Sequence, residues 1–461
     1  MPIMEQVVID PSRALGELPA IRGVMTEWMF SAGGAEPGRT VDPTGVEFGY
    51  GTLLPLRKED VELAAEIGVN TIRLAVEHVS LEARDRPGAY HEAGFARIEE
   101  LLGWCGEAGI NVILDLHNAL GREGGGDPRL WRRRELRDRF CGVWTEIARR
   151  FAGHPHILAY EPLNEPEPRY TDDWNERYRV WNELARRVTG TIRQLDADRP
   201  IIIDSIEYAH PSAFAGLEHT GDDHTIYSFH WYSPGPFHCQ KRPWIEDRGT
   251  YHYPGEIKGK WWNRAAMLGQ WQPALDFAAA HGAGLFCGEF GCVSDCPEME
   301  DMVWLLDVVS LLDELRIGWT YYHFMFRTVE AYWREHFDCS LFVHDAASGA
   351  LRRFDRKVSL LSDLMRLRGT ALAVDQPADE MLTVYAVAAA DGGLRVYASN
   401  KSREEARTLR LQLGSGTAAL ARVSKMARGT GGFVAAPALA VIDGAVTVEL
   451  EPLTIVRLQT G

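Results

Sequence analysis

The sequence has no run of about 18 apolar residues, the length needed to cross a bilayer. Its start, MPIMEQVVIDPSRALGELPA, has neither the basic leader nor the apolar stretch of a secretion signal. These two absences set the expectation of a cytoplasmic chain with no membrane span. Positive charge is also short: 49 Lys and Arg stand against 65 Asp and Glu, for a net charge of −16. Phosphate backbones repel such a surface, so nucleic acid and anionic membranes are excluded as main partners and a neutral small substrate fits better. Cysteines number seven, an odd count without a repeating frame, which suits a reducing compartment rather than a disulfide scaffold. Cys287, Cys292 and Cys296, with Cys239, offer zinc-type ligands but lack paired C-x-x-C spacing, so they read as buried or incidental thiols and no metal is expected. No G-x-G-x-x-G follows the first predicted strand, and GREGGGD at 121–127 reads as a flexible loop, so no cofactor is expected.

The last quarter of the chain is poor in different things. All 14 Trp, all 15 His and all seven Cys precede residue 370, and acidic and basic residues balance beyond it, so the excess negative charge sits on the first part. Two domains are expected, 1–369 and 370–461. In the first, apolar or β-branched runs alternate with helical patterns, as in β/α units. Eight strands are predicted: Ile21 to Met25, Asn70 to Leu74, Asn111 to Leu116, Ile157 to Glu161, Ile201 to Asp204, Thr225 to Phe229, Gly284 to Gly288 and Ile317 to Tyr322. Leu136, Phe140, Val143, Ile147 and Phe151 form one apolar helical stripe, and Tyr178, Trp181, Leu184, Val188, Ile192 and Leu195 form the next. Eight units in about 350 residues predict a (β/α)₈ TIM barrel with extended loops. The tail carries LTVYAVAA, LRVYASN, TLRLQL, AVTVEL and TIVRLQT separated by turn signals. It reads as a small antiparallel β-sandwich, structural rather than sugar-binding because Tyr385, Tyr397 and Phe433 are its only aromatics.

Active sites of such barrels lie at the C-terminal strand ends. Polar residues cluster at those ends here: Arg73 after the second strand, Asp115, His117 and Asn118 after the third, Asn164 and Glu165 after the fourth, His230 and Tyr232 after the sixth, and Glu289 after the seventh. Any one of them could be a structural salt bridge. So many ionisable groups buried at one barrel end is costly unless chemistry uses them. Two carboxylates across a cleft are what glycoside cleavage requires, one to protonate the leaving oxygen and one to attack or to activate water. Strands four and seven face each other across a barrel mouth, which lets Glu165 and Glu289 converge.

The motifs Y-E-P-L-N-E-P ending at Pro166, G-E-F-G around Glu289, T-I-R-L, D-L-H-N and F-H-W-Y occur in that barrel's order. Together they resemble glycoside hydrolase family 5, over roughly residues 20 to 368, with a further similarity to its endoglycoceramidase branch. The resemblance implies a retaining β-glycosidase acting on a glucoside, mannoside or related glycoconjugate, with Glu165 as acid/base and Glu289 as nucleophile. It further implies that Arg73 and Tyr232 bind Glu289, that Asn164 holds the sugar 2-hydroxyl, that His230 serves Glu165, and that His117 contacts the sugar, with Asn118 beside it. The family usually has a tryptophan platform at the end of strand eight. Here Tyr322 falls at that place and Trp319 lies earlier, so either is a candidate. The loop from Tyr232 to Trp262 is long and rich in aromatics, among them Phe237, Trp244, Tyr253 and Trp261, which suggests sugar stacking or a lid, with a small satellite core as the alternative. Trp28, Tyr332 and Trp333 are further cleft candidates. Transglycosylation through the same covalent intermediate, or a barrel that only binds carbohydrate, are the competing functions.

Overall fold

The computed structural model describes residues 3–26, 56–122, 127–242, 247, 249–293, 296–328, 339–345, 348–413 and 419–461. Eight parallel strands close into a barrel: Arg22–Thr26, Thr71–Glu77, Asn111–Asn118, Ile157–Glu161, Ile201–Asp204, Thr225–Trp231, Gly284–Phe290 and Gly318–Tyr321. They follow one another around the ring, and the eighth pairs with the first through Trp319 opposite Arg22. The predicted strands agree with these to within a few residues. Helices Lys58–Glu66, Glu92–Glu107, Arg134–Phe151, Trp174–Arg193, Arg264–His281, Glu300–Glu314 and Asp355–Arg366 surround the ring. The two apolar stripes expected on the third and fourth of these are buried except at their first members, Leu136 and Tyr178, which are half-buried, and at Leu195, which lies beyond the end of its helix and is exposed. The fifth unit departs from the pattern, with only the short turns Ile206–Ala209 and Pro211–Gly216 after its strand.

Alternation along the strands builds a graded interior. Ile113, Ala159, Ile202 and Phe286 form a separate apolar cluster inside the ring, joined by half-buried Ile21 and Ile226. Two residues further along the same inward faces come Asp115, Glu161, Asp204 and Gly288, so polarity begins one layer above the apolar plug. Outward neighbours such as Val112, Leu114, Ile203 and Phe229 belong to the main core under the helices.

The C-terminal part is a nine-stranded sheet folded on itself over its own core, which includes Leu382, Val384, Val396, Leu409, Val446, Val448 and Val456. Its strands are Gly369–Val374, Leu382–Ala389, Leu394–Asn400, Arg407–Gln412, Leu420–Met426, Val434–Ala440, Ala445–Leu450 and Thr454–Thr460, and the ninth is Ile3–Glu17. That long N-terminal strand pairs antiparallel with Gly369–Val374 and parallel with Arg407–Gln412. Register shifts between Ile9 and Gly16 bend it across the two leaves. The expected boundary, which gave everything from residue 1 to the barrel, is corrected by this pairing. Val7 and Ile9 are buried in the sandwich core, where their apolar alternation is satisfied by strands about 400 residues away in sequence.

Candidate active site

Eight of the expected residues, Arg73, Asp115, His117, Asn164, Glu165, His230, Tyr232 and Glu289, meet at the C-terminal mouth of the barrel. Arg73 lies in register with Ile113, hence inward, and is fully buried. Its guanidinium is a hub. Nε and Nη2 donate to Glu161 at 2.7 and 2.6 Å, Nη1 donates to Glu289 Oε1 at 2.7 Å, and Nη2 donates to Asn164 Oδ1 at 2.8 Å. Asp115 Oδ2 lies 3.2 Å from Nη2. Tyr232 donates its hydroxyl to the second oxygen of Glu289 at 2.8 Å. Both Glu289 oxygens are therefore oriented by fixed donors.

Glu289 reaches the interior by a local irregularity. Along the seventh strand Phe286 faces inward and Cys287 outward, and strict alternation would send Glu289 outward as well. The pairing with the sixth strand slips between Cys287 and Glu289, placing Glu289 opposite inward-facing His230. Gly288 permits the slip, since a Cβ there would lie 2.7 Å from His230 Nε2.

Glu165 sits on the loop after the fourth strand in the left-handed region, φ 44°. Its N–H donates to Asp204 Oδ2 at 2.8 Å, and Arg122 grips its carbonyl. Its carboxylate meets His230 Nδ1 at 2.8 Å. One side-chain oxygen of Glu165, one of Glu289 and Nδ1 of His230 all lie within 4.8 Å of one another.

Burial and charge act in opposition here. Burial disfavours the charged imidazole of His230, yet Glu289, Asp204 and Glu165 outweigh it and push its pKa up to about 9. Burial likewise opposes charge on Glu165, but the hydrogen bond and charge of His230, with His117 and Arg122, hold its carboxyl below the usual range. Burial raises Asp115 to about 7 and Glu161 to about 8 in spite of Arg73. His117 is pushed down to about 3 by burial and is neutral. Its Nδ1 faces Asp115 Oδ2 at 2.7 Å, and its Nε2 faces Asn164 Nδ2 at 3.2 Å. Because Arg73 occupies the Asn164 oxygen, the amide nitrogen donates to His117, which in turn donates from Nδ1 to Asp115.

Two triads have cation-site spacing, Glu165–His230–Glu289 and Glu161–Asp204–His230. Both would use His230, which must give up the proton its carboxylate neighbours hold on it before it can ligate a metal. The cysteines take other roles. Cys292 and Cys296 bring their sulfurs to 3.2 Å, Cys239 lies 2.8 Å from His238 Nε2, and Cys287 packs outside the ring.

Other expectations fare differently. Asn118 is held by Glu77 and Arg122 beside the mouth. Tyr322 is half-buried, edge-on to Tyr232 with ring centres 6.0 Å apart, which places it at the cleft. Trp319 is corrected. It is fully buried, in register with outward-facing Cys287, and its indole donates to Asp313 at 3.3 Å, so it faces the surrounding core. In the aromatic loop, Phe237 and Tyr253 are fully buried in the main core and Trp262 packs against it beside Trp231. Trp261 lies on the exposed face of the hairpin formed by Gly255–Ile257 and Lys260–Trp262. Trp28, Trp244, Tyr332 and Trp333 lie outside the described residues. The sequence reading assigned no role to Glu161, Asp204 or Arg122. Glu161 and Asp204 each end a barrel strand with a carboxylate two residues after an inward apolar side chain, and that is the signal that would have found them.

Fold and site together define a barrel hydrolase built around paired carboxylates. Residues 35–326 match the family model described as cellulase (glycosyl hydrolase family 5). The chain belongs to that family and is a glycoside hydrolase. It is 29% identical over 295 residues to endoglucanase C of Acetivibrio thermocellus, covering 58% of this chain and 84% of that protein. It is 26% identical to cellodextrinase A of Ruminococcus flavefaciens, covering 54% and 72%. Endoglucanase Cel5A from the hyperthermophilic Thermotoga maritima shares the fold, with TM-score 0.54, 21% identity and coverage of 71% of this chain and 93% of that one.

Proposed function

We propose that the protein hydrolyses β-linked glucosides and short glucan oligosaccharides by double displacement, with Glu289 attacking the anomeric carbon and Glu165 serving as acid and then base. The separation of the two carboxylates carries this reading. Oxygens within 4.8 Å fit the spacing of about 5 to 5.5 Å used for covalent catalysis, and leave no room for the water that needs about 6.5 to 9.5 Å in inversion. Glu165 begins as an anion paired with protonated His230. Transfer of that proton across their 2.8 Å contact makes Glu165 the acid that protonates the departing oxygen. Once the sugar is bonded to Glu289, the Glu165 carboxylate takes a proton from water as it attacks, the sugar is released from Glu289, and the proton passes back across the 2.8 Å contact to His230, which restores both carboxylates and the imidazolium. Arg73 and Tyr232 keep the Glu289 oxygens aimed throughout. Asn164, fixed by Arg73, has a second amide hydrogen for the sugar 2-hydroxyl. Relatives named endoglucanase and cellodextrinase favour glucan substrates over glycoconjugates. A cytoplasmic site of action belongs to the same reading, supported by seven free cysteines, two of them 3.2 Å apart and unbonded, and cell fractionation tests it.

A fluorinated-sugar inhibitor, applied after a screen of aryl β-glycosides, tests the mechanism. Intact-mass and peptide mapping should find one sugar on Glu289. A label on another residue, or inverted stereochemistry in the first-formed product, overturns the assignment.

A further inference from the structure

Asp204 closes the fifth strand, lies in register with Ser228 of the sixth, and is fully buried. We propose that Asp204 is the positioning residue of the acid/base: it fixes the Glu165 backbone and faces the far nitrogen of His230, so that the imidazolium releases its proton from Nδ1, the atom that meets Glu165. The inference rests on the role proposed for Glu165.

One oxygen, Oδ2, serves both partners. It accepts the Glu165 N–H at 2.8 Å and lies 3.6 Å from His230 Nε2, too far for a hydrogen bond but close for opposite charges. His230 Nδ1 in turn meets Glu165 Oε1 at 2.8 Å. A ring of contacts therefore runs from Asp204 to the Glu165 main chain, out along its side chain to His230, and back to Asp204. The acid/base is held at both ends. Glu165 needs such holding, because its left-handed backbone, φ 44°, is unfavourable for a residue with a side chain and persists only where the surroundings over-determine it. Asp204 takes the N–H and Arg122 the carbonyl. Asp204 is itself anchored, since the Trp181 indole donates to its carbonyl at 2.9 Å.

The same carboxylate selects the proton that moves. His230 Nδ1 faces Glu165 at 2.8 Å and Glu289 at 3.8 Å, whereas Nε2 faces Asp204 and has no hydrogen-bond partner among the described residues. When Nδ1 passes its proton to Glu165, an anion beside Nε2 favours the neutral ring that keeps Nε2–H. Glu165 gains an O–H bond, Nδ1 keeps the electron pair of the broken N–H bond, and the proton returns to Nδ1 at the end of the cycle.

The test compares a phenyl β-glucoside, whose leaving group needs a proton, with a dinitrophenyl β-glucoside, whose leaving group departs without one. Asp204→Asn keeps the shape and an acceptor for the Glu165 N–H but removes the charge. The ratio of kcat/KM on the phenyl substrate to that on the dinitrophenyl substrate should fall about tenfold or more. A merely structural residue would lower both together, so an unchanged ratio overturns the proposal. A second measurement leaves Asp204 in place. NMR of the histidine ring nitrogens in the wild-type protein, with the His230 signals assigned by their loss in His230→Asn, should show the neutral ring at high pH carrying its proton on Nε2. A proton on Nδ1 overturns the proposal whether or not Asp204→Asn folds. Glu165→Ala tells the two readings apart: it should lower the same ratio about 100-fold or more, and if it lowers both substrates equally the acid/base role itself has failed. A split in Glu165→Ala with none in Asp204→Asn removes Asp204 alone.

Discussion

Among the places where the described residues bury charge, the barrel mouth and the seam between the barrel and the β-sandwich treat their carboxylates in opposite ways. At the seam, helix Glu300–Glu314 points carboxylates at the sandwich. Asp307 receives Thr383 on one oxygen at 2.7 Å, and Tyr253 and Lys401 on the other at 2.7 and 3.0 Å. Asp313 receives Trp319 on one oxygen and Arg22 and Tyr385 on the other. Every oxygen of these two groups is used. At the mouth, Asp115 Oδ1, Asp204 Oδ1, Ser228 Oγ and His230 Nε2 are buried without a hydrogen-bond partner among the described residues, and His230 Nε2 has only Asp204 Oδ2 3.6 Å away as an ion-pair neighbour. At the seam the carboxylate oxygens are all taken, although Arg22 Nε and Nη1 are left over, whereas at the mouth the carboxylates themselves keep unspent hydrogen-bonding capacity.

The sharpest way to break this contrast is to remove one carboxylate charge from the mouth. Glu289→Gln should lower kcat on an aryl β-glycoside roughly 10⁴-fold or more while the denaturation midpoint holds or rises, because a buried anion is gone. A variant that loses stability instead of turnover would make the mouth another seam. The converse change is Lys401→Met, which leaves Asp307 buried without its cation. It should cost about 3 kcal/mol in a denaturant titration and leave kcat of the folded enzyme within about twofold. A smaller effect separates the two regions by pH. His230, with a folded pKa of about 9 against an ordinary 6.5, contributes stability that is complete below pH 6.5 and lost as pH rises through 9. In the proposed mechanism His230 also supplies the Glu165 proton, so the alkaline limb of kcat/KM should lie near pH 9 and move to lower pH in His230→Asn. A limb that stays in place would remove His230 from the proton path.

How much of this was legible in the sequence depended on whether a feature was local. The strands of the ring, and polar side chains such as Arg73, Asn164 and His230 at their ends, follow from alternation within a few residues. The two features that escaped depend on register. The slip at Gly288 changes which face Glu289 occupies, and nothing in G-E-F-G announces it, although the motif's resemblance to a known family supplied the residue. Trp319 is one position from inward-facing Thr320, whose hydroxyl bonds the Gly288 carbonyl, so an error of one residue exchanges cleft for core. Glu161 and Asp204 were placed correctly in strands yet given no role, because their importance lies in the partners Arg73, His230 and Glu165, which only the closed ring assembles.

Ile3–Glu17 carries one more lesson. Seen from the sandwich, the entire barrel is an insertion between one strand and the other eight. A ribosome releases that strand first, and it must wait while the whole ring is synthesised before its neighbours in the sheet exist. The sandwich therefore cannot be excised as a contiguous C-terminal fragment without leaving a gap in its middle, between Gly369–Val374 and Arg407–Gln412.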